Sequence, residues 1–278
     1  MNLESKIKLS DPNSYYGTPF RYWIAKYLPN LIKSYCPNND ARILDLGCGQ
    51  GQYAELFKSL NISGVYCGID LDPRDNWDKI KENEQLHILF QQHNAEKLQS
   101  LDKSFNFISA VTTFEHFDDQ IAVIDGAYKV TDISGNIMII IPSHYSYLLY
   151  GTHGYRRYSK NGLQKLVTNA GYVLVKSGKI GGLFSFIFHF LWRNITFIIK
   201  RGFKMVFYLC FLGKKEVARK KLPTLAMILD DFMHLHLKTS IGRMVHKLII
   251  IYSHKLDSIL PIFEVGYYCI AKKEGDEK

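Results

Sequence analysis

The chemistry in this chain is concentrated in Ile43-Leu44-Asp45-Leu46-Gly47-Cys48-Gly49-Gln50-Gly51 and, fifteen residues on, Tyr66-Cys67-Gly68-Ile69-Asp70. An apolar run ending in an acid, then three alternating glycines, then a helical stretch from Gln52 to Leu60, reads as strand, tight loop and helix. Glycine there lets backbone approach a ligand closely, because no side chain intervenes. The second apolar strand ends at Asp70, whose carboxylate suits the diol of a ribose. Dinucleotide folds carry G-x-G-x-x-G and phosphate loops G-x-x-x-x-G-K-[ST]; this loop is G-x-G-x-G and lacks the lysine. The pattern points to a nucleoside-bearing cofactor held without a phosphate cradle.

Leu44 to Gly51 resembles the first motif of class I S-adenosylmethionine-dependent methyltransferases, and the similarity continues in order through residues 41–180. His93-Asn94-Ala95-Glu96 resembles the third motif, Phe105 to Val111 the fourth strand, Thr112 to His116 the segment beside the transferring methyl, and Gly135 to Pro142 the fifth strand. Within the class the pattern is most similar to the quinone-biosynthesis-like, type 11 group. Asn106 departs from the usual aspartate, which puts a loop contact in doubt. The resemblance implies a Rossmann-like sheet of order 3-2-1-4-5-7-6 with helices on both faces. It also implies S-adenosyl-L-methionine as cofactor, with Asp45, Gly47, Cys48, Gly49, Gly51, Asp70, Leu71, Asn94, Ala95 and Val111 around it.

A sulfonium carries its own leaving group, so such an enzyme must chiefly align the acceptor and exclude water. An oxygen acceptor, the first expectation here, must also lose a proton. Candidate bases are His116 and Glu115 after strand four and His144 after strand five. Tyr145, His153, Arg156 and Arg157 are candidates to hold the acceptor, the arginines by pairing with an anionic group. Each has a plainer reading: His116 as a cap, the tyrosines as cover for a sheet edge, Asp45 as an anchor for the glycine loop. No metal site is expected, since His234 and His236 are two apart and cannot share a helical face. His246 and His254 are expected to be exposed.

These residues need elements to position them. Pro19 to Tyr35 has the apolar spacing of a helix, placing residues 1–40 as a capping region with Tyr15, Tyr16 and Arg21 as possible lid residues. Residues 41–180 with 263–278 form the cofactor domain. Strand six is expected at Val173 to Ile180 and strand seven at Glu264 to Ala271, so 181–262 is an insertion before the last strand. The chain has 278 residues and a formal net charge of +9. The insertion holds thirteen basic and four acidic residues, a net +9, so all the excess charge lies there. Five cysteines at unrelated spacings suggest reduced thiols in a cytoplasmic protein, and no secretory signal is visible at Met1 to Pro12.

The insertion opens on aromatics, from Phe184 to Phe211, interrupted by Arg193, Lys200, Arg201 and Lys204, so it is not expected to span a bilayer. His189, Arg193, Lys200 and Lys204 share a helical arc, and Lys214, Lys215, Arg219, Lys220 and Lys221 add a basic cluster. Residues 183–221 therefore read either as an interfacial helix on an anionic membrane or as a lid with a solvated basic face. Four functions follow in order: methyl transfer to a membrane amphiphile such as a lipid-linked sugar, quinone precursor or surface-glycan intermediate; methyl transfer to a soluble small molecule under a hydrophobic lid; nucleic-acid methylation, which lacks the Pro-Pro-aromatic and Pro-Cys signatures; and cofactor binding without turnover.

Overall fold

The computed structural model describes residues 18–101, 103–150, 156–191, 194 and 240–275. Seven strands form one sheet: β1 (Ala41–Leu46), β2 (Gly64–Asp70), β3 (Leu86–Gln92), β4 (Phe105–Val111), β5 (Thr131–Pro142), β6 (Val173–Ile180) and β7 (Gly266–Lys272). Their order is β3-β2-β1-β4-β5-β7-β6. The first five run parallel and β7 inserts antiparallel between β5 and β6. Parallel strands are covered on both faces and so read as unbroken apolar runs, as Ile137 to Ile141 does.

Two cores lie on opposite faces of the sheet. On one, α1 (Pro19–Tyr35) and α2 (Gln52–Ser59) bury Trp23, Leu28, Ile32, Leu56 and Phe57 against Ile43, Phe107, Met138 and Ile270. Thr18 caps α1, its hydroxyl accepting from the Arg21 N–H at 3.3 Å, and Pro19 follows at the first helical position, where its missing donor costs nothing. On the other face, α3 (Gln120–Val130) and α5 (Lys160–Asn169) cover Leu44, Ile108 and Ile139. A short helix α4 (Tyr147–Tyr150) lies between them in the chain.

Helix α1 lies along the β5–β7 side: Trp23 stacks on Tyr268 at 5.3 Å, and the Asn136 amide donates to the Tyr35 carbonyl at 2.8 Å. It is a structural layer of the sheet domain, and Tyr15 and Tyr16 lie outside the described residues. Asn106 is remote from the cofactor end. Its side chain accepts from the Arg42 N–H at 2.8 Å and donates to the Asp40 carbonyl at 3.0 Å, tying down the entry to β1.

Between β6 and β7 come a helix over 183–191, here α6, and α7 (Ser240–Leu256). Asp257 joins them, one oxygen accepting from the N–H groups of Phe184 and Ser185 at 2.9 and 3.0 Å and so capping α6. Helix α7 packs on the outer side of α1 through Tyr22, Ala25 and Ile250. Two expectations are corrected here. His189, placed on a basic solvated face, is buried, and so is His246, which lies edge-on to Phe188 at 5.4 Å. His254 is half-buried, its Nε2 2.7 Å from the Tyr27 hydroxyl, because α7 turns its polar side toward α1. No described helix is long and apolar enough to cross a membrane. Arg193, Lys200, Lys204 and the cluster 214–221 lie outside the described residues.

Candidate active site

The glycine loop sits at the C-terminal ends of β1 and β2, with Gly47, Gly49 and Gly51 at φ of +64, +52 and +77°. A side chain is excluded for different reasons at each. A Cβ on Gly47 would fall 2.3 Å from Thr113 Cγ2, and one on Gly51 would fall 2.5 Å from Ile80 Cδ1. At Gly49 a Cβ would meet nothing nearer than Gln52 at 3.9 Å. The outer glycines therefore answer to the protein's own packing, and only the middle one faces open space. The loop forms an open cradle bounded by backbone.

Asp70 braces that cradle. One carboxylate oxygen accepts from the Gly49 N–H at 2.9 Å, the other from the Asp72 N–H at 3.3 Å, and Arg74 stands 3.9 Å away. The carboxylate is thus less solitary than the sequence suggests, yet each oxygen keeps a lone pair and the side chain stays partly exposed. On the outside of the loop, Trp77 Nε1 donates to the Gly49 carbonyl at 2.8 Å and Asn76 to the Gln50 carbonyl at 3.0 Å. Trp77 is stacked on Phe90 at 5.2 Å, and Thr113 holds the Gly47 carbonyl at 3.0 Å. None of these three clamps was legible in the sequence. They lie 26 to 66 residues from the groups they hold, with no spacing that marks them.

Other expected cofactor residues take different parts. Asp45 anchors β1 to both of its neighbours. It is 1% exposed, and its two oxygens accept from Tyr66 on β2 at 2.5 Å and Ser109 on β4 at 2.6 Å. Burial pushes its carboxyl up to about 6, against those two hydrogen bonds, which pull it down. Cys48 turns its thiol inward against Gly68, and burial drives its pKa upward, so it offers the loop only backbone. Asn94 accepts from the Glu96 N–H at 2.8 Å and caps the short helix Ala95–Ser100, where Ala95 is buried. The His93 N–H donates to the Asp70 carbonyl at 2.9 Å, so this turn adjoins the loop; Leu71 is exposed beside it. Val111 closes β4 in the core, and Thr112 follows at φ +55°.

A second rim lies past β4 and β5. The Arg156 N–H donates to the Glu115 carbonyl at 3.4 Å, and the His144 N–H to the Tyr158 carbonyl at 3.2 Å. Glu115, His116, His144, Tyr145, Arg156 and Arg157 are thereby brought together, whereas His153 lies outside the described residues. Glu115 is buried, with Oε2 lacking any hydrogen-bond partner. Burial pushes its carboxyl up to about 7, opposed by its own backbone and by Arg157. His116 is exposed, and its Nε2 stands 4.0 Å from Glu115. Gln120, missed in the sequence, donates to the Phe114 carbonyl at 2.6 Å and accepts from Tyr158, fastening the two segments together.

Neighbouring rings continue the rim outward: Tyr145 meets Phe263 at 5.0 Å, Phe263 meets Phe186 at 5.8 Å, and Phe186 stacks with Phe190 on α6 at 6.1 Å. Among the described residues no cluster fit for a metal is present, and Cys36, Cys48, Cys67 and Cys269 are free thiols.

A seven-stranded sheet of this order, with a glycine loop and an acid at the tip of β2, is the fold of the class I S-adenosylmethionine-dependent methyltransferases. Residues 20–177 match the family described as a methyltransferase domain, and the chain belongs to that family. A tRNA U34 carboxymethyltransferase of Sulfurimonas denitrificans is 23% identical over 120 residues, 42% of this chain and 40% of that protein, so the match spans well under half of the relative.

Among solved structures, the YcgJ protein of Bacillus subtilis superposes with a TM-score of 0.52 at 18% identity, over 90% of this chain and 99% of its own. The phosphoethanolamine N-methyltransferase 2 of Haemonchus contortus, in complex with S-adenosyl-L-methionine, gives 0.52 at 13%, covering 90% and 52%. The [4+2]-cyclase SpnF gives 0.54 at 15%, covering 90% and 82%. Likeness at these identities is a likeness of fold, and a cyclase on the same scaffold shows that the fold alone does not name the reaction.

Proposed function

We propose that this enzyme transfers a methyl group from S-adenosylmethionine to an amphiphilic acceptor, oxygen being the accepting atom, at the surface of an anionic membrane. One observation carries the reading. Helix α7 is amphipathic the wrong way round for a water-facing helix: His246, Ser253 and the half-buried His254 point inward, while Ile241, Met244, Val245, Leu248, Ile249, Tyr252 and Leu256 point out, Ile241 at 72% exposed. These recur at i, i+3, i+4, i+7, i+8, i+11 and i+15, one continuous stripe. A stripe of that extent on the most basic part of a chain suits the boundary between headgroups and acyl chains. The rings from Phe190 to Tyr145 would give an apolar tail a path from that boundary to the rim.

The chain's residues divide the work. Gly49 and Asp70 would hold the cofactor, which supplies an electrophilic methyl when bound. The buried walls around Val111 and Phe114 keep water from the transfer. Arg156 and Arg157 would face an anionic head of the acceptor.

To test this, the protein is incubated with methyl-labelled cofactor and a whole-cell extract, which is then separated into lipid, polar and RNA fractions, with flotation on phosphatidylglycerol vesicles in parallel. The expected result is label in the lipid fraction and co-flotation with the vesicles. Label in the polar fraction without flotation overturns the reading in favour of a soluble acceptor beneath a hydrophobic lid. Label in RNA would follow the tRNA-modifying relative instead.

A further inference from the structure

Of the three candidate bases, His116 is exposed beside Glu115, and Glu115 is enclosed. His144 is different. Its Nδ1 lies 3.3 Å from the Tyr267 hydroxyl, and that hydroxyl lies 2.6 Å from Glu264 Oε1. Tyr267 and Glu264 are both buried, so the three form a chain running from the inside of the sheet to an exposed imidazole.

The hydrogens on this chain can be assigned. Lys179 Nζ stands 3.5 Å from Glu264 Oε2 and supplies the countercharge of a carboxylate, which only accepts. The single hydroxyl hydrogen of Tyr267 therefore goes to Glu264. The phenol oxygen can then only accept from His144, so Nδ1 must carry the ring proton and Nε2 keeps its lone pair. A free histidine prefers the opposite tautomer. Other groups beside the ring are Tyr145, 4.0 Å away in a tilted contact, and the Tyr158 carbonyl, bound by the His144 N–H; Glu115, His116 and Arg157 stand on the neighbouring segments.

From this geometry we infer that His144 is the general base of the methyl transfer and that Tyr267 and Glu264 are its positioning residues, an inference resting on the proposed function. The acceptor's O–H bond breaks with its proton passing to Nε2. A carbon–oxygen bond forms as the methyl–sulfur bond breaks, its electron pair remaining on sulfur. The resulting imidazolium is held by Tyr267 with the Glu264 carboxylate behind it.

The tautomer can be read without any acceptor, by long-range nitrogen–proton NMR on protein labelled with ¹⁵N-histidine at neutral pH. The expected spectrum has His144 protonated on Nδ1 and unprotonated on Nε2, and Tyr267→Phe, which cannot accept from Nδ1, switches it to Nε2–H. Glu264→Gln, which still accepts from Tyr267, keeps the Nδ1–H form. An Nε2–H tautomer in the native protein, or one indifferent to Tyr267→Phe in a variant whose other resonances are unchanged, overturns the relay. With the unmethylated counterpart of the lipid fraction that takes the label as acceptor, His144→Gln should lower turnover at least a hundredfold and Tyr267→Phe about tenfold, each with cofactor affinity unchanged. Unaltered turnover in His144→Gln overturns its role as base. Loss of cofactor binding in the native protein would sink the functional reading while leaving the NMR result standing.

Discussion

Helices α1 and α7 are both 17 residues long and pack on one another, yet they treat their apolar faces in opposite ways. Helix α1 buries Phe20, Trp23, Ile24, Leu28, Leu31 and Ile32 and sends its charged residues outward. Helix α7 buries Ile250 together with the polar His246 and Ser253 and leaves most of its apolar residues outside, with Tyr252 at 60% exposed. A domain that had run out of apolar surface to cover would leave its last layer polar outside. Among the described residues nothing covers the apolar outer face of α7, and the membrane proposal supplies that cover with headgroups and acyl chains.

The sharpest way to break this comparison is to remove the outward stripe. Replacing Ile241, Met244, Leu248 and Tyr252 together by glutamine withdraws partly exposed side chains worth about 2 to 4 kcal/mol in transfer to an apolar phase, roughly a 30- to 700-fold loss of vesicle binding by flotation. The melting temperature is expected to stay within a degree or two. Its counterpart on α1 is Leu28→Ala, expected to cost about 2 to 5 kcal/mol of stability in urea titration with cofactor affinity retained. Equal effects of the two on stability would show that α7 has an ordinary buried face.

A second contrast lies within the glycine loop and its two acids. Asp45→Ala leaves two buried hydroxyls unanswered and is expected to cost about 2 to 3 kcal/mol of stability. Gly49→Ala meets no protein atom closely, so it should weaken cofactor binding tenfold or more in calorimetry while costing only about 1 kcal/mol through its positive φ. A Gly49 variant that binds normally would remove the cradle.

The smallest effect expected is on pH dependence. The Glu115 carboxyl is raised from 4.5 to about 7 by burial, so the folded state holds its proton more tightly than the unfolded chain. That contribution to stability is fully present below about 4.5 and is lost as pH rises through about 7. Glu115→Gln should therefore be less sensitive to pH across this window, becoming more stable than the native protein above pH 7 in denaturant titrations. A pH profile parallel to that of the native protein would mean that Glu115 is solvated.

The sheet was legible because its inner parallel strands carry continuous apolar runs such as Ile137 to Ile141, whereas β6, with Lys176 and Lys179, was placed only through the family resemblance. The loop's chemistry was legible too, but its division of labour was not. Asp45 and Asp70 look alike as acids closing strands; only the fold shows one enclosed by hydroxyls from two neighbouring strands and the other at the open tip. The orientation of α7 was illegible, since periodicity gives two faces without saying which is inside. His144 and Tyr267 are 123 residues apart, and nothing local couples them. Pairing across that distance is set by the antiparallel register of β5 and β7, in which Pro142 faces Gly266.

Everything proposed for the second rim depends on the first holding its cofactor, and calorimetric titration of S-adenosylmethionine into the native protein and into Asp70→Ala probes that most directly. Saturable one-site heat in the native protein, with affinity at least tenfold weaker in Asp70→Ala, is the expected outcome. No heat from the folded native protein, or identical affinity in the two, would contradict it.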